Sequence, residues 1–283
     1  MTKEEKQKQF TQILFRWHKT HYRPMAWRNT HDPYRILVSE IMLQQTQVER
    51  VREKYAEFLK KFPNIRTLAA SPLGDVLRAW SGLGYNRRAK YLHEAAKRIM
   101  LYHKGKFPDD IDELLALPSV GISTAAAVSA FAFDRDLPMI DTNVRRILVR
   151  VFFKDAIPTD KVLYAFAQLM IPKGKGRAWN YAMLDLGATL CTARNHSKEC
   201  PMDELHGFVE DFVYKKPQKK FLHSDRFYRG RIVAQLIVGP STKRNLGKSL
   251  GLSAPRIDAL LGGLFREKLI IQGKDREQLI HLP

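Results

Sequence analysis

Apolar residues over the first two hundred positions recur at steps of three and four. Phe10, Ile13, Leu14 and Trp17 form one such face between Glu4 and Lys19, which predicts a first helix. The segment from Arg23 to Pro33 breaks the pattern with two prolines. Ile36, Leu37, Val38, Ile41, Met42 and Leu43 then predict an apolar helix, interrupted by Glu40 and followed by Gln44, Gln45 and Thr46. Thr46, with Glu49 three positions on, reads as a capping box opening a helix towards Leu59, with Val48, Val51, Tyr55 and Phe58 on one face. Further helices are expected around Leu73 to Trp80, Arg87 to Tyr102 and Ile111 to Leu117, the last capped by Asp110 with Glu113. No convincing alternation marks a strand before about residue 205, so the expected core is all-α.

Two further stretches carry local chemistry. Leu117-Pro118-Ser119-Val120-Gly121 turns the chain between two short helices, and Ser123 and Thr124 are placed to cap the second, which continues through Ala125, Ala126, Ala127 and Ala130. Small residues there allow close packing, and the turn offers backbone N–H groups to a phosphate. Asp141 closes the apolar run Leu137 to Ile140 and opens a helix, Val144 to Val151, with three arginines. An acid within an apolar helix, such as Glu40, is costly unless paired or protonated, whereas an acid at a helix start, such as Asp141, is readily kept ionised. That asymmetry suits acid catalysis with electrostatic support.

After Cys200-Pro201 the pattern changes. Lys215 to Lys220 read as a basic linker, and 215–283 as a separate small module. Helices are expected at Phe227 to Ile237, Ser241 to Leu250 and Ser253 to Lys268. A terminal hairpin is expected to turn at Gly273-Lys274-Asp275. That order is winged-helix-like, with Arg256 and Arg266 on the third helix as candidate DNA contacts; the same fold also serves as a protein contact.

Composition narrows the partner class. The 283 residues are 45% hydrophobic, enough for a sizeable core, and two cysteines make no disulfide framework. No stretch is apolar enough to span a bilayer, and the polar start MTKEEKQKQ lacks the core of a secretory signal, so a cytoplasmic, membrane-free protein is expected, nucleoid-associated in a prokaryote. Lysine and arginine number 48 against 29 acids, a formal charge of +19 spread along the chain. Such a surplus favours a polyanion, with nucleic acid as the leading candidate and a plain basic or ribosome-associated protein as the alternative.

Trp27-Arg28, Asp32-Pro33-Tyr34, the run from Val38 to Val48 and Gly82-Leu83-Gly84-Tyr85 closely resemble the adenine DNA glycosylases of the helix-hairpin-helix superfamily, the MutY family. The likeness continues through Leu117 to Gly121, Ile140 to Arg146 and Asn180 to Ala188, and covers most of residues 6–200. It implies a helix-hairpin-helix core over 1–214, with one helical subdomain at 28–135 and a second made of 1–27 with 136–214, beside the module at 215–283. The implied partner is duplex DNA with a mismatch or oxidised guanine, bound by a monomer, and the implied reaction is release of adenine mispaired with guanine or 8-oxoguanine.

In the catalytic set that the resemblance implies, Glu40 protonates the base, Asp141 stabilises the oxocarbenium-like sugar and Asn143 holds water and acid in place. At the lesion, Gln44 would wedge into the duplex, Gln45 would touch the opposing base with Thr46 beside it, Tyr85 would insert next to that base, and Arg28 would lie near the extruded adenine. Ser119, Val120, Gly121 and Ser123 would hold the phosphate backbone. In relatives that also cut the backbone a Schiff-base lysine occupies the position of Ser123, so a hydroxyl there implies a monofunctional, water-using enzyme. Ser119 stands where the hairpin usually has glycine, and Asn86 where a second tyrosine is common.

The chain also departs from the family in its cofactor and tail. Typical members hold a four-cysteine iron–sulfur cluster after the position of Cys191. With Cys191 and Cys200 alone, no such cluster and no other cofactor is expected. Zinc at Cys191, His196, Cys200 and His206 is the less favoured alternative to ordinary cysteines and histidines. Nothing after residue 205 has the length of the Nudix-like domain that reads 8-oxoguanine in full-length relatives. A glycosylase for another mismatch, such as thymine opposite guanine, and a catalytically silent DNA-binding protein remain the competing readings.

Overall fold

A computed structural model describes residues 2–153, 157–192, 199–205, 221–273 and 278–283. Its helices are α1 (Lys3–His21), α2 (Pro33–Leu43), α3 (Val48–Lys61), α4 (Ile65–Ala70), α5 (Leu73–Ala79), α6 (Arg87–His103) and α7 (Ile111–Leu115). They continue with α8 (Ile122–Ala132), α9 (Thr142–Phe152), α10 (Asp160–Met170), α11 (Gly176–Thr189), α12 (Asp225–Val238), α13 (Lys243–Leu250) and α14 (Ala254–Arg266). Two short strands, β1 (Ile271–Gln272) and β2 (Ile280–His281), pair antiparallel. The expected all-helical core is present, and among the described residues no helix is long and apolar enough to cross a membrane.

Contacts gather the chain into two units: residues 1–37, 109–116 and 120–216, and residues 38–108, 117–119 and 217–283. That grouping differs from the subdomain limits expected above. The alanines of α8 let it pack against α11, which draws 120–135 into the first unit. The module after the linker joins residues 38–108, because α12 packs on α5 and the Gly74 N–H donates to the Pro283 carbonyl at 2.7 Å. A Cβ on Gly74 would lie 2.5 Å from that oxygen, so glycine is needed for the approach.

In the first unit, Phe10 and Leu14 of α1 are buried with Ile147 and Leu148 of α9, Phe166 of α10 and Trp179 and Met183 of α11. In the second, Phe58 of α3 meets Phe62 at 4.9 Å and Trp80 edge-on at 5.8 Å. Ile232, Leu236, Leu246, Leu260 and Leu264 form the apolar interior of the three C-terminal helices.

Local signals were read with mixed success. Asp110 caps α7 by accepting from the N–H groups of Asp112 and Glu113. Thr46 does not cap α3: the helix starts later, at an uncapped Gln47, because the Thr46 hydroxyl is engaged by Arg88 at 2.9 Å. Nor do Ser123 and Thr124 cap α8, whose N-cap is Gly121 without a side-chain bond. The pattern reading missed α4, a single short stretch capped by Asn64, and passed over α10. The linker at 215–220 and the hairpin turn at Lys274-Asp275 lie outside the described residues.

Candidate active site and lesion-facing turns

Asp141 is the N-cap of α9. Its Oδ1 accepts from the N–H groups of Asn143 at 2.8 Å and Val144 at 2.9 Å, and its Oδ2 from Asn143 Nδ2 at 3.0 Å. The Asn143 carbonyl oxygen in turn accepts from Arg146 at 2.7 Å, and Arg146 also donates to the carbonyls of Cys191 and Gly187. Burial pushes the Asp141 carboxyl above its usual range, against the opposing pull of these N–H donors and of Arg146. A helix start therefore does not by itself hold this acid ionised as easily as the sequence suggests.

Three groups that the sequence reading gave no role position this corner. Asn180, fully buried, accepts from the Met139 N–H at 2.8 Å and donates to the Leu137 carbonyl at 2.8 Å, which pins the chain leading into Asp141. Gly187 lets α11 approach α9 so closely that a Cβ on it would fall 2.5 Å from Asn143 Cβ. Arg146 belongs to the run of three arginines on α9, all buried: Arg145 bonds Asp160 at 2.6 Å, and Arg150 bonds Cys191 Sγ at 3.2 Å. Their charge serves the interior, which trims the surface share of the +19.

Arg28 is 6% exposed, in a bidentate pair with Asp185 at 2.7 and 2.8 Å, and its guanidinium lies 4.6 Å from the Tyr181 ring centre. Asp185 is fully buried and also meets His18 at 2.9 Å. Burial would raise its pKa, but the bonds from His18 and Arg28 bring it below the ordinary carboxylate value. Asp185 was legible as the acid following Tyr181 in an apolar helix, the same signal that singled out Glu40.

Glu40 lies on α2 in the second unit, 8% exposed between the buried Ser39 and Ile41. The turn that follows is clasped by Arg88 of α6. One guanidinium nitrogen donates to the carbonyls of Ile41, Met42 and Gln44, and the other to Thr46 Oγ1 and the carbonyls of Leu83 and Gly84. Arg88 thus ties the turn bearing Gln44 and Gln45 to the turn bearing Tyr85. Burial lowers its pKa to about 10, and the sequence gave no hint of its role beyond its place after the GLGY motif.

Gln45, at φ 54°, Tyr85, at φ 48°, and Ser119, at φ 65°, each hold a left-handed backbone that side chains disfavour. Gln45 and Gly121 are exposed, Val120 is buried, and Gln44, Thr46, Tyr85, Ser119 and Ser123 are half-buried. A Cβ on Gly121 would meet nothing within 4 Å. Arg256 is engaged by Asp225 at 2.9 Å and stacks on Tyr228.

Comparison with known proteins supplies the family. The profile of HhH-GPD superfamily base excision DNA repair proteins matches residues 38–173. The adenine DNA glycosylase of Mycolicibacterium smegmatis is 36% identical over 273 residues, covering 93% of this chain and 92% of that protein. That of Mycobacterium tuberculosis is 34% identical over 277 residues, covering 93% and 90%. The chain belongs to the adenine DNA glycosylase family. A solved thermostable thymine-DNA glycosylase is 30% identical with a TM-score of 0.69, covering 73% of this chain and 98% of its own. An endonuclease III trapped on DNA, at 20% identity and a TM-score of 0.64, shares the fold.

For an adenine DNA glycosylase, the region after Cys191 raises the question of a cluster. Cys191 and Cys200 are buried free thiols, and burial pushes Cys200 up to about 11, the reverse of what a thiolate ligand needs. Two cysteines do not fit a four-thiolate cluster. Among the described residues no group of three or more potential ligands could hold a metal ion; His196 and His206 of the candidate zinc set lie outside them.

Proposed function

We propose that the chain hydrolyses the N-glycosidic bond of adenine mispaired with guanine or 8-oxoguanine in duplex DNA, as the first step of base excision repair. The observation that carries this reading is the Asp141 corner: a carboxylate fixed by three N–H donors and a buried arginine, in a chain 36% identical to an adenine DNA glycosylase over nearly its whole length. In this reading Glu40, in its buried helix, delivers a proton to the base, which makes adenine a better leaving group. Asp141 faces the cationic sugar as the bond breaks, and Asn143 orients the water. Attack of that water completes hydrolysis, with Ser123 offering no amine for a covalent adduct.

Duplex DNA is held in this reading by the hairpin residues Ser119, Val120, Gly121 and Ser123, by Gln44, Gln45, Thr46 and Tyr85 at the lesion, and by a winged-helix-like C-terminal module. Extrusion of a base costs a few kcal/mol, which groups filling the vacated stack offset. Thymine release opposite guanine is a second reading, favoured by the 30% identity to a thymine-DNA glycosylase. Single-turnover base release from duplexes carrying A·G, A·8-oxoG and T·G pairs separates the two: adenine release is expected, and thymine release alone overturns the assignment. Glu40→Gln is expected to abolish release with duplex binding retained, because the carboxyl proton serves chemistry more than grip. Parallel loss of binding and release would count against that role.

A further inference from the structure

Within the second unit, a cleft of about 780 Å³ opens between the two clasped turns and the C-terminal helices. Its size falls in the roughly 300–1,000 Å³ range of ligand clefts. Gln45, Tyr85 and Asn86 line one side, and Phe221, Arg226 and Arg229 of the C-terminal segment line the other. Glu40 is not among its lining residues, so it is distinct from the pocket of the proposed acid.

The charge of this cleft is lopsided. Arg50, Arg87, Arg88, Arg226 and Arg229 face it against the single acid Glu267. Most of these cations have structural tasks. Arg229 and Arg87 share Glu267, the latter at 3.7 Å, and Arg88 spends its donors on the turn carbonyls. Arg226 differs. It donates to the Tyr85 hydroxyl, and its guanidinium stacks 5.1 Å from the Tyr85 ring centre and 4.9 Å from that of Phe221. Tyr85 is thereby gripped on a strained backbone between two guanidinium groups, with Arg88 5.3 Å from its ring.

A phosphate site needs cations but no aromatic wall. A flat aromatic ring beside an arginine fork instead matches a purine, which stacks on the ring and offers O6 and N7 to the fork. Adenine presents a donor at the position where guanine presents O6, so the arginine fork selects guanine. We propose that this cleft binds the guanine left on the strand opposite the excised base, with Arg226 reading its O6/N7 edge and Tyr85 stacking on it. The proposal rests on the glycosylase reading above, and makes the C-terminal segment a specificity element as well as a source of grip. Because 8-oxoguanine carries hydrogen on N7, Arg226 favours guanine over the oxidised base.

The test is single-turnover adenine release, with equilibrium binding of the same duplexes, for the full chain and its Arg226→Ala and Arg226→Lys variants. The base opposite adenine is guanine, 7-deazaguanine, 8-oxoguanine or cytosine. Loss of a bidentate arginine–guanine pair is expected to slow release opposite guanine by roughly tenfold or more, in line with the discrimination such pairs give. Release opposite cytosine is expected to change by less than about twofold, and 7-deazaguanine to slow the parent protein but not the alanine variant. Arg226→Lys keeps charge without the fork and is expected to resemble alanine on guanine. Equal loss on all four duplexes would make Arg226 a phosphate or folding residue, and no change on any would empty the cleft of this role; either overturns the proposal. If the parent chain releases no adenine at all, the glycosylase reading fails separately, and the guanine preference in binding still decides the role of Arg226.

Discussion

Asp141 and Asn143 are held by their own helix start, by Arg146 one turn on and by the close approach of Gly187, whereas Gln45 and Tyr85 sit on two strained turns joined through Arg88. Short-range bonds within one helix leave little freedom, which suits groups that must be in place before charge develops. A left-handed turn stores about 1–2 kcal/mol and is held by its surroundings, which suits groups that meet a distorted duplex. Changes at the first region should therefore lower the rate of the chemical step, and changes at the second should alter stability and discrimination among duplexes.

The largest expected effect is Asp141→Asn. Asparagine is as good an N-cap as aspartate, so α9 should form unchanged. Base release is expected to fall by about 10²–10³, the scale of losing one electrostatic partner, with duplex affinity within a few-fold. The pH response adds a second reading. Burial raises the Asp141 pKa, so the rate should fall as acid protonates it, at a pH above the usual carboxylate range, and that limb should vanish in the asparagine variant. A raised folded-state pKa also means that this group's stabilising contribution is complete below the unfolded pKa and is lost as pH rises through the folded one. Asp141→Asn should thus have a slightly higher melting temperature at pH 7 than its parent; a lower one would show that its hydrogen bonds outweigh desolvation.

Next in size is Arg88→Met, which orphans five carbonyls and the Thr46 hydroxyl. A loss of about 3 kcal/mol in urea unfolding is expected, since buried acceptors left unpaired each cost about 1–3 kcal/mol and some regain water. Lysine should not rescue it, because one ammonium has three donors where the fork serves two turns. Retained stability would mean that the two turns hold themselves without the clasp.

How much of this was legible in the sequence differs between the regions. Helical faces such as Phe10, Leu14 and Trp17 were visible because apolar spacing is a local property. Asp110 and Asp141 as caps were legible for the same reason. Thr46 misled: a capping box is read from two residues, but the hydroxyl answered to Arg88, forty-two positions away. The functional acids were legible as acids in apolar company, yet their supports, Asn180, Asp185, Gly187 and Arg146, act through contacts that close only on folding. Arg145, Arg146 and Arg150 read as surface charge and are interior, since a charge count carries no information on partners.

Gly187→Ala comes third and probes how exact the first region must be. The added methyl meets Asn143 Cβ and Cα, neither the far end of a flexible chain, so α9 and α11 must separate. Overpacking of this kind costs about 1–3 kcal/mol. Release is expected to fall about tenfold or more, because Asn143 and Asp141 move together, while binding changes little. A variant that loses stability but keeps its rate would show that the corner tolerates displacement.

The smallest effect, Ser119→Gly, asks whether strain in the hairpin serves recognition. Ser119 holds φ 65°, where a side chain costs about 1–2 kcal/mol and glycine nearly nothing. Glycine loses more entropy on folding, so the expected net gain in stability is about 0.5–1 kcal/mol, read as a higher urea midpoint. If the hairpin only presents backbone N–H groups, duplex affinity should hold or rise, since glycine admits a phosphate more closely. A fall in affinity with rising stability would instead make the Ser119 side chain itself a DNA contact, and would place the hairpin with Gln45 and Tyr85, where strain is retained for what the side chain does.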